Sequence, residues 1–307
     1  REAEASALVR VLPIGCITAG RKGELLAPAG ELAGAGVVAL TDDGQAVADP
    51  NLMRHALQYS TQFGLPVAQH PEDPALVRGG QMHEGWVATR LGLRGRPASG
   101  EATMVARDIA LAELTGAHLH VCDVSTAASV ALIRGARERG VHITASVTPH
   151  HLTLTHERVA FGESYTQIHY DTSAKVEPPL REEGDLVALA EALRDGVIDA
   201  IATDHSPVSA MQKDIEFDLA APGISGLETA FGLSMRLVES GTLTLPMLIE
   251  RMTIGPVRAW SLDRRPGCEG MGTLAPGAVG DVTVLDPNAE WTVQPERFAS
   301  LGKNTPL

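Results

Sequence analysis

Short apolar runs alternate along this chain with longer stretches whose apolar positions recur every three to four residues. The runs fall at 9–18, 36–44, 66–70, 118–125, 141–151 and 198–207, and the longer stretches at 50–63, 101–115, 127–139 and 185–194. Strand-like and helix-like segments in alternation imply βαβ units and a parallel sheet. The runs lack strict apolar–polar alternation, as expected of strands covered on both faces. Nearly every run ends in a polar cluster: Asp42-Asp43, His70, Asp123, His150-His151 and Asp204-His205. In a (β/α)8 barrel the C-terminal strand ends form the active-site rim, so polar groups delivered there by several strands predict a TIM-type barrel of class α/β. Six runs account for six strands, and the remaining two are expected ahead of Arg1. No GxGxxG or GxxxxGK[ST] opens a helix, which argues against a nucleotide-binding sheet.

Both ends modify this picture. Residues 1–15 read as a short helix-like piece running into the first strand. After Leu262 the chain becomes rich in glycine and proline, with short β stretches expected at 281–285 and 290–293. The expected division is a partial barrel over 1–262 and part of a small β-sandwich over 263–307.

Charge then excludes partners. The 307 residues carry a formal net charge of −13, which disfavours attraction to nucleic acid or to an anionic membrane surface. Three scattered cysteines, Cys16, Cys122 and Cys268, form neither a disulfide framework nor a zinc-finger spacing, and they suit a reducing cytoplasm. No apolar run approaches the ~20 residues that span a bilayer.

Asp43, His70, Asp123 and Asp204 close different runs, and imidazole with carboxylate is the donor set of a hydrolytic Zn2+ site. Singly, each has a plainer reading. Asp42-Asp43-Gly44 reads equally as a turn, His70 as a strand end, and Asp123 as a helix cap in competition with Ser125 and Thr126. Asp204 is the strongest candidate because Asp204-His205 follow a clean apolar run. Of His150 and His151, one is expected to face the site and the other to pack. The loop at Pro222-Gly223 offers a backbone that a ligand can approach closely.

The ordered segments RVLPIGCIT, TDDG, QHPED, HEG, HVCDVST, TPHHLTLT, KVEPPLR, DGVIDAIATDHSP, PGISGLETAF, GTLAPGAVGDVTVLDP and GKNTP resemble the dihydroorotases of the cyclic amidohydrolase group. The resemblance runs over essentially the whole chain. It implies a barrel with a small β-sandwich, and zinc-dependent, reversible cyclisation of N-carbamoyl-L-aspartate to L-dihydroorotate in pyrimidine synthesis. It also implies a homo-oligomer and aspartate transcarbamoylase as partner. By position, Asp43 corresponds to the metal-bridging aspartate, His70 to a metal histidine, and Asp204 to the aspartate that binds metal and moves the proton. Asp123 stands where a metal histidine is usual. Glu177 stands where an asparagine touches the substrate, and a carboxylate there would oppose a dianionic substrate by ~1 kcal/mol or more. Val208 stands where a substrate histidine is often found, and His205, Pro222 and Gly223 complete the expected substrate contacts. The family's His-x-His pair, a substrate arginine and an asparagine would precede Arg1, so a chain beginning there is expected to be inactive. A non-catalytic scaffold for aspartate transcarbamoylase, and an allantoinase or hydantoinase, are the alternative readings.

Overall fold

The structure, a computed structural model, describes residues 5–161 and 168–307. Of the helix-like opening at 1–15, residues 1–4 lie outside the described residues. Nine strands are found among the described residues: β1 Leu40–Thr41, β2 Val67–Gln69, β3 Met82–His83, β4 Gly95–Arg96, β5 Leu119–Val121, β6 Ile143–Val147, β7 Ala160–Phe161, β8 His169–Tyr170 and β9 Ala200–Ile201. Five of them make a parallel sheet in the order β1-β2-β5-β6-β9. The run at 9–18 lies beside β1, joined by one parallel bridge between Gly15 and Leu40 and by Val38 N–H donating to the Pro13 carbonyl at 2.9 Å. The six expected strand positions thus stand side by side in chain order.

The connecting helices occupy Pro50–Ser60, Ser99–Thr115, Ala127–Glu138 and Glu183–Arg194. The first shows why they form. Asp49 accepts from Asn51 N–H at 2.7 Å and Leu52 N–H at 2.9 Å, with Pro50 at the first helical position, which satisfies donors that a helix start leaves free. Met53, Ala56, Leu57 and Ser60 are buried, a spacing that places them on one stripe against the sheet. Val67, Leu119, Ala145 and Ile133 are among the wholly buried residues of the resulting core.

The C-terminal stretch departs from expectation. Residues 263–307 contain no strand among the described residues; 281–285 and 290–293 have no ladder partner. Leu274, Val282 and Val284 are largely exposed. An isolated strand leaves its backbone groups unpaired and does not persist without neighbours. The last residues behave differently: Asn304 is buried against the barrel loops. No described helix is long and apolar enough to cross a membrane.

Candidate functional site

Parallel pairing sends the C-terminal ends of β1, β2, β5, β6 and β9 to one edge of the sheet. Asp43, His70, Asp123, His150 and Asp204 each lie within three residues of such an end. Asp43, Asp123 and Asp204 have φ of 29°, 52° and 44°. Left-handed backbone is uncommon outside glycine and gathers at functional sites, where it aims a side chain that regular strand geometry would send elsewhere. Three of the five non-glycine residues with positive φ among the described residues are these aspartates.

The cluster is anionic and short of donors. Among the described residues no hydrogen bond reaches the side-chain carboxylates of Asp43, Asp123 or Asp204. Burial pushes Asp204 up to about 8, with Asp123, Asp43 and Glu177 adding to the effect and His70 opposing it. Burial likewise raises Asp123 to about 6, against His70 and with Asp43 and Glu101. Burial pushes the Cys122 thiol up, reinforced by Asp123, Asp43 and Asp204, so it stays protonated and is no nucleophile. His70 responds in the opposite sense. Burial alone would strip its proton, but Glu72, Asp123 and Asp204 lift it to about 9. Its Nε2 is buried without a hydrogen bond and lies 3.7 Å from Glu72 Oε2. The imidazolium therefore acts as the cluster's countercharge, a position that suits a cation. The four donors fit a divalent ion chemically. They are not drawn together into a compact cage; among the described residues, the group of ligand atoms within 4.8 Å of one another is that of His83, His156 and Glu182.

Several expectations sort themselves here. Asp42, not Asp43, is the buried member of its pair; it accepts from Ile17 N–H at 2.9 Å, Thr18 N–H at 3.0 Å and the Thr18 hydroxyl. It anchors the 9–18 segment, while Asp43 is exposed. Thr126 rather than Asp123 caps the Ala127–Glu138 helix, accepting from Ser129 N–H at 3.2 Å. His151 packs, bonded to Thr148 at 2.8 Å and to the Pro178 carbonyl at 3.0 Å. His150 Nε2 is buried without a partner, and burial with the neighbouring His151 keeps it neutral. Glu177 is ion-paired with Arg96, so its charge is met within the protein rather than presented bare to a substrate. His205 Nδ1 accepts from Leu227 N–H at 3.2 Å. Gly223, at φ 130°, runs so close to the strand end that an added Cβ would lie 2.7 Å from Ser206 Oγ and 2.8 Å from its carbonyl. The close approach there is to the chain itself, and Pro222 is half-buried beside it.

Residues without a nominated role hold this edge together. Arg181, fully buried, donates from Nε to Ser125 Oγ at 2.9 Å and lies 3.8 Å from Glu101 and 3.9 Å from Glu72. Glu101 receives Ser125 N–H, Thr126 N–H and both hydroxyls, fixing the loop that carries Asp123. Arg96 joins Glu72 at 3.0 Å to Glu177. Asn304 accepts from Val208 N–H at 2.8 Å and donates to the Ser206 and Gly223 carbonyls at 3.1 and 2.9 Å. Their segments QHPED, KVEPPLR and GKNTP stand out in the sequence, but partners so distant in the chain do not.

The Dihydro-orotase-like family model matches residues 1–129. The dihydroorotase of Anaeromyxobacter sp. (strain K) is 53% identical over 304 residues, covering 99% of this chain and 67% of its own length. This chain belongs to the dihydroorotase family. The dihydroorotase of Geobacter metallireducens is 48% identical, covering all of this chain and 69% of the relative. The solved L-hydantoinase (dihydropyrimidinase) of Arthrobacter aurescens superposes with a TM-score of 0.79 at 22% identity, over 96% of this chain and 65% of that one; at that identity the likeness is one of fold. Membership of the dihydroorotase family makes the chain a cyclic amidohydrolase of a metal-dependent class.

Proposed function

We propose that this chain carries the dihydroorotase reaction, the reversible cyclisation of N-carbamoyl-L-aspartate to L-dihydroorotate, at the strand-end cluster. The observation that carries the reading is the left-handed, donor-free Asp204 beside Asp123, Asp43 and the cationic His70. These four residues would hold zinc. When bound, it supplies the Lewis acidity that polarises an amide carbonyl and acidifies water. His70 would have to give up its proton for its nitrogen to serve as a donor.

Asp204 moves the proton. In the hydrolytic direction its carboxylate takes a proton from the attacking water as the C–O bond forms. It returns that proton to the ring nitrogen as the C–N bond breaks; cyclisation runs the same steps backwards. Asp123 takes the position of a metal histidine as a carboxylate donor. Arg96 pairs with Glu177, and the resemblance extends the proposal to His205, Pro222 and Gly223 as substrate contacts. It also extends the proposal to a cytoplasmic homo-oligomer with aspartate transcarbamoylase as partner, and to residues 263–307 as part of a small β-sandwich domain.

The test is an Asp204→Asn variant of the full-length protein, assayed for dihydroorotate hydrolysis at saturating zinc. Loss of general acid–base catalysis is expected to cost ~10²–10⁴-fold in kcat, with the melting temperature of the metal-free protein unchanged or higher because one of several repelling carboxylates is gone. A variant within tenfold of the parent would remove Asp204 from the mechanism.

A further inference from the structure

We infer that His83, His156 and Glu182 form a second site for a borderline divalent transition metal, outside the strand-end cluster. Their ligand atoms lie within 4.8 Å of one another, and the segments bearing them are fixed before any ion arrives. His83 sits in β3, which pairs with β4. His156 opens a 3-10 helix, and its N–H donates to the Arg181 carbonyl at 2.9 Å, the residue immediately before Glu182. The two imidazole rings stand 5.2 Å apart. His83 Nε2 is 3.7 Å from Glu182 Oε1, and His156 Nδ1 is buried with no hydrogen-bond partner.

The donor set selects the ion. Two imidazoles and one carboxylate suit Zn2+, Co2+ or Ni2+ rather than Mg2+ or Ca2+, which demand oxygen. Three protein ligands leave a fourth position for water, and the Glu182 side chain is 59% exposed. Burial, then Arg181 and His156, lower His83 to about 4, and burial lowers His156 as well. Both rings are neutral at pH 7, as ligands must be. Binding at His83 Nε2 places the ring proton on Nδ1, where Arg181 Nη1 now donates at 3.3 Å. That N–H has a second acceptor already in reach, the Arg96 carbonyl at 3.3 Å. Occupancy therefore acts on Arg181, the residue that also faces Glu72 and Glu101.

The test uses full-length protein stripped with chelator and titrated with Co2+, read by its visible d–d absorption and by bound cobalt per chain. The strand-end metals serve as the internal reference in every sample. The parent is expected to take up one more equivalent than His83→Asn/His156→Gln, and Glu182→Gln to weaken that equivalent at least tenfold. Equal uptake by the parent and a folded double variant would overturn the site. Should the double variant not fold, Glu182→Gln decides through its exposed carboxylate, and unchanged affinity overturns the site.

Discussion

Replacing Arg181 with methionine keeps most of the side-chain volume and removes the charge. The guanidinium is fully buried and faces Glu72 and Glu101, themselves 7% and 1% exposed. Glu101 retains four donors from Ser125 and Thr126, and Glu72 retains Arg96. The damage is therefore that of breaking a buried ion pair, about 3–5 kcal/mol, rather than the larger cost of an isolated buried charge. For a chain of this size that corresponds to a melting temperature lower by about 6–10 °C, at about 2 °C per kcal/mol. The sign of the pH dependence follows from Glu72. Burial raises its carboxyl, but His70, Arg96 and Arg181 together hold it below the usual range. In the parent it therefore contributes stability above the unfolded value of ~4.3, lost as pH falls through the folded value. Without Arg181 part of that contribution disappears. The gap between parent and Arg181→Met opens as pH rises through the depressed folded value of Glu72, below ~4.3, and stays open to neutrality. Urea unfolding at several pH values measures it, and adding Glu101→Gln should recover part of the loss at neutral pH. A loss below ~1 kcal/mol, or one independent of pH, would refute the view that this arginine neutralises two buried carboxylates.

Other outcomes test the fold around the site. Asp108 is buried and raised by that burial to about 6, against the pull of Arg107; a raised carboxyl gives stability present below its unfolded value and lost as pH climbs through the folded one. Stability should fall by on the order of 2–3 kcal/mol between about pH 4 and 6.5, and in Asp108→Asn that slope should flatten in urea titrations. Gly223→Ala forces a Cβ to 2.7 Å from Ser206 Oγ at φ 130°, and a loss of about 2–5 kcal/mol is expected by calorimetry. Asn304→Ala removes acceptance from Val208 N–H and donation to two carbonyls; limited proteolysis should cut the last ten residues faster, and unchanged cutting would show that they are held otherwise.

The periodic part of the fold is legible in the sequence because it depends on local pattern. The runs at 66–70, 118–125 and 141–151 each enclose a strand of the sheet, and the stretch at 50–63 matches the Pro50–Ser60 helix with its 3-10 extension. Strand expectation fails at 281–285 and 290–293, where apolar residues are present but no partner strand stands among the described residues, and pairing is not a local property. The strand-end aspartates are legible for the same reason as the strands. The choice between Asp42 and Asp43 is not: adjacent identical residues differ here only because Thr18, twenty-four positions earlier, claims one of them. The Arg181 network and the His83–His156–Glu182 group join residues from separate loops, and no spacing rule connects them. Glu177 looked like an uncompensated charge because its partner, Arg96, lies 81 positions away.

The backbone at the strand ends also governs which substitutions can be interpreted. Asparagine, aspartate and histidine are the non-glycine residues most at home in the left-handed region, whereas alanine there costs ~1–2 kcal/mol before any chemistry is lost. An alanine scan of Asp43, Asp123 and Asp204, at φ 29°, 52° and 44°, would thus mix folding with function, while asparagine would report chemistry alone. The same tolerance bears on descent. At position 123, φ 52° is a conformation that both histidine and aspartate tolerate, so the main chain there does not by itself oppose an exchange between the two.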